Sequence, residues 1–371
     1  MTLSRRRMIA LVGGGTILAA TGGAGAFVAT RTPHAALAPW SLAGTYGEVR
    51  RDALSFALLA PNPHNRQPWV VELVGEDDLV ITRDLTRDLP VTDPFGRQLT
   101  IGMGCFIELM EMAAGAAGYG VETALFPDGE TDGAPVARCR FIAGAGMPDP
   151  LFAHVFDRRS HKEAFEVRGI TEADATALAP YAEVVASGPE FEALRQLAHD
   201  AWMIEATTPA AWQESIDLLR IGKAEINARP DGIDAGGPFL EMLALVGLFS
   251  REAASDIGNP GTRDAIESTA SAILGAPAFT VSRTAGNTRA AQIAAGRDWL
   301  RLNLATTARG MALRPVSQAL QEYPEMAGIY RRLHESFAGP GETVQMLGLL
   351  GYGERTPRTP RWPLETRIVN A

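Results

Sequence analysis

Cysteine is nearly absent: the 371-residue chain has two, Cys105 and Cys139, too few for a disulfide framework or a CxxC zinc or redox centre. One bridge between them is the most the sequence allows. The segments around them read as a buried helix and an alternating strand, where a free thiol behaves as a small apolar side chain. Histidine is scarce too, six in all. With no HExxH and no GxSxG, a metal site or a serine hydrolase is unsupported, and no catalytic side chain stands out. Lys and Arg number 34 against 43 Asp and Glu, for a net charge of -9. That balance disfavours a general nucleic-acid binder, which needs excess cations to track phosphates. Any anion site must therefore be local.

What is present is an ordinary globular composition, 46% hydrophobic and 21% charged, long enough for one large domain or two ordinary ones. At the start, Ser4-Arg5-Arg6-Arg7 precedes an uncharged, Gly- and Ala-rich run from Met8 to Thr30. This is the layout of an export signal, and the paired arginines look like the twin-arginine kind. A small-residue cleavage pattern, Ala36-Leu37-Ala38, follows. Residues 1–40 are thus expected to be a signal, or a membrane anchor if uncut. The protein is expected outside the cytoplasm, and a folded, exported chain fits a tightly bound organic cofactor.

In the mature chain, apolar residues at Val49, Ala53, Phe56, Ala57 and Ala60 predict a helix that stops at Pro61. Trp69 to Leu73 and Leu79 to Thr82 predict two strands. A buried helix over 101–117 precedes strands at Val121 to Phe126 and Val136 to Ile142. Pro148-Asp149-Pro150 is a plausible seam, dividing 41–147 from 148–371. Beyond it the pattern predicts helices over 172–182, 190–206, 209–228 and 288–307, with strands over 278–282, 311–316 and 343–350. Helices mixed with non-alternating sheet suggest an α+β fold. Gly104 to Gly118 and Gly296 to Gly310 have equal spacing, each bracketing a predicted helix and followed by an extended segment closing on Pro127 or Pro315. The spacing alone leaves a repeat and coincidence equally open.

Three stretches carry chemistry. Pro61-Asn62-Pro63-His64-Asn65-Arg66-Gln67-Pro68-Trp69 is a stiff loop displaying amides that both donate and accept, suited to the edge of a planar heteroaromatic ring. Taken alone it also reads as a helix-to-strand turn. Asp157-Arg158-Arg159-Ser160-His161-Lys162 gathers cations and a hydroxyl suited to a phosphate ester, or is a solvated basic turn. Arg355 to Pro363 alternates proline with Arg355, Arg358 and Arg361, so its cations project from an extended backbone, converging on an anion or forming an exposed tail.

Together these stretches resemble the nitroreductase-like FMN-binding superfamily, in particular its twin-arginine-exported, Acg-like branch with tandem domains. The resemblance implies a nitroreductase-like tandem pseudo-dimer in which one chain supplies both halves of a two-subunit site. It implies that Arg159-Ser160-His161-Lys162, with Arg158, and the late Arg358 and Arg361 hold an FMN phosphate. Pro61, Asn62, Pro63, His64, Asn65 and Gln67 would line the flavin ring, with Asn62 where the family has Ser. Leu313-Arg314-Pro315 would approach flavin N5. The second half shows only Leu274-Gly275-Ala276-Pro277 where a ring loop would precede a strand, so one complete site is expected. The implied activity is an FMN-dependent oxidoreductase working through flavin N5 with a small-molecule donor and an unknown nitroaromatic or quinone-like acceptor. The implied partners also include the twin-arginine translocase. The alternative is a non-catalytic flavin-holding protein covered by the segment around Pro230 to Gly247.

Overall fold

The computed structural model describes residues 27–28 and 30–370; the arginine cluster after Ser4 lies outside them. Short helices α1 (His34–Leu37) and α2 (Pro39–Leu42) lead into α3 (Val49–Ala57), strands β1 (Trp69–Val74) and β2 (Asp78–Arg83), the long helix α4 (Arg97–Ala116), and strands β3 (Tyr119–Leu125) and β4 (Ala137–Ala143). Next come α5 (Glu172–Leu178), β5 (Glu183–Val185), α6 (Gly188–Thr207), α7 (Pro209–Asp217), β6 (Leu219–Ile221), α8 (Gly222–Ala228), β7 (Ile233–Ala235), α9 (Pro238–Leu245) and α10 (Arg251–Ser255). The chain closes with α11 (Pro260–Leu274), β8 (Ala278–Ala285), α12 (Arg289–Ala308), β9 (Ala312–Pro315), α13 (Ala327–Phe337) and β10 (Glu342–Gly351). The fold is α+β.

Two four-stranded antiparallel sheets carry it, in the orders β1-β2-β4-β3 and β5-β8-β10-β9. Each sheet places its strands in the order first, second, fourth, third, with a 20-residue helix between the second and third. Those two helices, α4 and α12, pack on each other at the centre. Gly104 and Gly296 are their crossing point: a Cβ on Gly104 would run into the Ile293 carbonyl, and one on Gly296 into that of Ile101. Both glycines lie well inside their helices and do not bracket them. Gly118 and Gly310, in contrast, follow the helix ends with φ of 85° and 67°, the left-handed geometry that closes a helix and frees the chain to turn into a strand. Arg297 bridges Glu108 and Glu111 across the two helices at 2.7 and 2.5 Å, and Arg301 bridges Glu108 and Asp149 at 2.5 and 2.7 Å. Among the described residues only α4 is long and apolar enough to cross a membrane, yet 89% of its apolar window is buried, as befits a core helix. Cys105 and Cys139 are free, buried thiols.

The segment read as one helix over 209–228 is broken. Leu219–Ile221 is a strand paired in parallel with β7, and Gly222, at φ 76°, turns the chain into α8. The C-terminal end of the expected signal, residues 1–40, packs on the folded body. Ala36 is buried, its N–H donating to Asn227 Oδ1 at 3.1 Å and its carbonyl accepting from Arg361 N at 2.8 Å. The apparent cleavage pattern is therefore folded into the body. At the other end, the chain past β10 leaves the second sheet and returns to the first, where Val71 N donates to Arg367 O and Val369 N to Val71 O. That return brings Arg361 against Leu59, Ala60 and Asn65 ahead of β1.

Candidate functional site

The ring loop is held in an unusual backbone. His64, Asn65 and Gln67 all have positive φ, 46°, 52° and 51°, a conformation that costs a non-glycine residue on the order of 1 kcal/mol or more and persists only where surroundings over-determine it. They do so here. Asn62 Oδ1 accepts the Gln67 N–H at 2.7 Å, Gln67 Nε2 donates to Pro230 O at 2.6 Å, and Gln67 Oε1 accepts from Trp362 N at 2.9 Å. Beneath the loop, α4 passes at Gly102, where a Cβ would crowd Asn62 Cβ and Pro63 Cδ at 3.1 and 3.3 Å. Next to it, Asp231 gathers Arg66, Arg87 and Arg220 at 3.2, 3.1 and 3.3 Å, fixing the loop to the 230 segment.

Two adjoining cavities of about 190 and 210 Å³ share Pro61, Asn62, His64, Ser160 and Pro315 in their walls. The first is completed by Pro63, Gln98, Gly102, Cys105, Glu205 and Gln321, among others. The second is cationic, walled by Arg158, Arg159, Lys162 and Arg361, with Asn65, Trp40, Gly232 and the first residues of β7, Ile233 and Asp234. The three stretches singled out in the sequence thus converge from positions 61, 158 and 361 on one cleft.

The arginines of the second cavity are short of anions. Arg158 is 3% exposed and gives one hydrogen bond, to Leu59 O at 2.7 Å, while its Nε and Nη1 find no partner. Arg361, 2% exposed, bonds Asn65 Oδ1 at 2.6 Å and the carbonyls of Leu59, Ala60 and Pro360, yet its Nε is unpartnered. Arg159 is half-buried and donates only to carbonyls. Among the described residues no carboxylate forms an ion pair with any of the three. Burial, and after it the neighbouring Arg159, press Arg158 down to about 10; burial, then Arg158 and Arg159, press Arg361 to about 9. A guanidinium keeps its proton, so this pressure is chiefly the uncompensated cost of burying the charge, with repulsion from the neighbouring arginines second, and an anion would offset both.

Not every expected residue reaches the cavities. Gln67 is fully buried behind the loop, which it positions, and Leu313 is core, its carbonyl accepting from His161 N at 2.9 Å. Arg314 donates to Lys162 O at 3.5 Å, and Arg358 is exposed, 5.2 Å over the Trp40 ring. Neither is in the walls of these two cavities. Trp40 went unforeseen: its indole lies under Arg159, Arg358 and Arg361 at 5.1, 5.2 and 5.8 Å and its Nε1 donates to Thr359 O at 2.8 Å. Nothing in an alanine-rich N-terminal stretch marks that role. Glu205 did carry a signal, a carboxylate on the stripe Phe191, Leu194, Ala198 and Ala201 that α6 buries. The counterpart of the ring loop is also corrected. By sheet order β5 occupies β1's place, so the matching turn is Ala179–Ala182, ahead of β5; Leu274–Pro277 precedes β8, which matches β2.

No family model matches this chain. A Mycobacterium tuberculosis protein, found in strains CDC 1551 / Oshkosh and ATCC 25618 / H37Rv and provisionally named NAD(P)H nitroreductase acg, is 34% identical over 82 residues. Over that stretch the chain is similar to a nitroreductase. The match spans 22% of this chain and 24% of the relative. Among solved structures, the FMN-dependent nitroreductase NfnB of Mycobacterium smegmatis, in complex with NADPH, is 20% identical with a TM-score of 0.36, covering 57% of this chain and 92% of its own. A Bacteroides fragilis nitroreductase with bound FMN is 12% identical with a TM-score of 0.34, over 58% and 94%. At these levels neither assigns a role to any residue of this chain.

Proposed function

We propose that this chain is an FMN-dependent oxidoreductase of the nitroreductase type, built as a monomeric tandem pseudo-dimer with one flavin site, that reduces a nitroaromatic or quinone-like acceptor. The carrying observation is the trio Arg158, Arg159 and Arg361, buried or half-buried, without a carboxylate, and next to a proline-rimmed cavity. The unpartnered guanidinium nitrogens match the oxygens of a phosphate ester in number and charge. Arg158, Arg159, Ser160, Lys162 and Arg361 would hold that phosphate, and Pro61 to Asn65, Gly102 and Pro315 would wall the ring. When bound, FMN supplies hydride transfer through N5. The chain's own residues neutralise the phosphate, hold the loop rigid through Gln67, and exclude water with Pro61, Pro63 and Pro315. The matching strand orders of the two sheets and the returning C-terminal segment support the tandem reading. We place the protein outside the cytoplasm, exported in folded form by the twin-arginine translocase, with a small-molecule electron donor.

A second reading, flavin held without turnover, draws on Gly232 and the start of β7, which wall one side of the cationic cavity. The test begins with FMN titration of the purified full chain. Arg158→Gln and Arg361→Lys are each expected to weaken binding about tenfold or more, since a charge-assisted hydrogen bond to phosphate contributes on the order of 1.5–3 kcal/mol. Undiminished affinity in both variants overturns the phosphate assignment. Anaerobic bleaching followed by reoxidation with a quinone supports the oxidoreductase; bound flavin that does not cycle supports the second reading.

A further inference from the structure

Helix α9 and the turn behind it invert the pattern of a surface helix. Phe239, Leu245, Val246 and Leu248 are 54%, 74%, 62% and 69% exposed, while the single charge of the stretch, Glu241, is buried. Glu241 Oε1 accepts from Lys223 N at 2.8 Å and Oε2 from Arg31 Nη1 at 3.0 Å. Turning the carboxylate inward and the large apolar side chains outward gains nothing against water. Such a face implies a cover.

The chain on the far side of Glu241 indicates which cover. Arg31 directly follows the uncharged run from Met8 to Thr30, which is as long as a bilayer-spanning helix requires. Lys223 Nζ donates to Thr30 O at 2.9 Å, so the run joins the folded body beside α9. Loss of the chain through Ala38 would strip Arg361 of its bond to Ala36 O, and with it α1 and part of the frame around Trp40. A cut at the Ala36-Leu37-Ala38 pattern would therefore damage the folded site.

We propose that the protein stays on the membrane through its uncleaved N-terminal run and lays the 238–248 patch on the lipid surface, with Arg31 and Lys223 at the rim beside the headgroups. The occupant of the patch is lipid, not a second copy of the chain. This stands independently of the flavin reading.

The native thiols compete little with the label, because Cys105 and Cys139 are buried and burial pushes both up to about 12, away from the reactive thiolate. The full chain carrying Leu248→Cys is labelled with a polarity-sensitive fluorophore and reconstituted in phosphatidylcholine–phosphatidylglycerol vesicles containing brominated lipid. A Glu130→Cys chain, labelled on the exposed loop between β3 and β4, is the reference. We expect brominated lipid to quench the label at 248 at least about threefold more than at 130, the difference made by a face sunk into the acyl boundary. Introducing Leu245→Asp and Phe239→Asp should abolish that excess while the N-terminal run keeps the protein on the vesicles. Equal quenching at the two positions, or self-quenching at 248 that rises with protein-to-lipid ratio as two copies meet, overturns the proposal.

Discussion

Glu205 lies on the buried face of α6, 4% exposed, with Gln321 Nε2 donating to it at 2.6 Å in the wall of the first cavity. Burial pushes its carboxyl from 4.5 up to about 7 against the hydrogen bonds from Gln321 and Gln318. The folded protein thus holds this proton more tightly than the unfolded chain does. Its contribution to stability is full below the ordinary value of 4.5 and is lost as pH rises through about 7. Relative to Glu205→Gln, which cannot ionise, the wild type is expected to lose on the order of 3 kcal/mol over that interval. Thermal melts of both proteins from pH 4.5 to about pH 8 read it, and parallel curves would contradict the buried-acid assignment. At this scale the cations were legible because Arg158, Arg159 and Arg361 sit in short clusters in an acidic chain. Trp40 and Gln67 as positioning groups were not. Their roles depend on partners more than 100 residues away, such as Thr359 and Pro230, and no local pattern encodes such pairings.

The α4–α12 crossing is the element on which both halves lean, and its geometry rests on the absence of two side chains. Backbone, and not a flexible side-chain end, meets any Cβ added at Gly104 or Gly296. Gly104→Ala and Gly296→Ala are therefore each expected to force the helices apart and cost about 1–3 kcal/mol. Urea unfolding should show a lowered midpoint at unchanged slope in each variant; an unmoved midpoint would mean that the crossing relaxes freely. Both helices were readable from their apolar content and from the closing glycines Gly118 and Gly310. The start of α4 was placed four residues late. Its first turn, Arg97 to Thr100, is capped by Asp93 accepting from Gln98 N and Leu99 N at 3.0 and 2.9 Å, and Arg97 bonds Gln345 and Leu320 in the opposite half. The run Asp93-Pro94-Phe95-Gly96-Arg97 is thus a helix start that also ties α4 to the chain around Leu320 and Gln345. The strands β6 and β7 escaped notice because three residues are too few for a period to show. Helices α11 and α13 were not predicted, although Ile329, Leu333 and Phe337 recur in α13 at the spacing of one helix face. For α11 the local sign is its cap, Asn259 Oδ1 accepting from Gly261 N at 2.9 Å just ahead of the first turn; α13 begins without a side-chain cap.

For the whole molecule, the two sheets share one strand order, the two central helices one length, and the C-terminal segment crosses from the second sheet to the first. On the tandem reading proposed above, this arrangement would furnish one cleft. The ring loop comes before β1, the cationic cluster from the connection between the halves, and Arg361 from the returning tail, whereas the turn before β5 is only Ala179–Ala182. The measurement that bears most directly on this account is the flavin content of the full chain, purified and then saturated with FMN. Visible absorbance against protein concentration should give one FMN per chain, with a raised melting temperature because ligand stabilises the state it binds. A colourless protein whose melting temperature ignores added FMN, or one that takes up two equivalents, would contradict it.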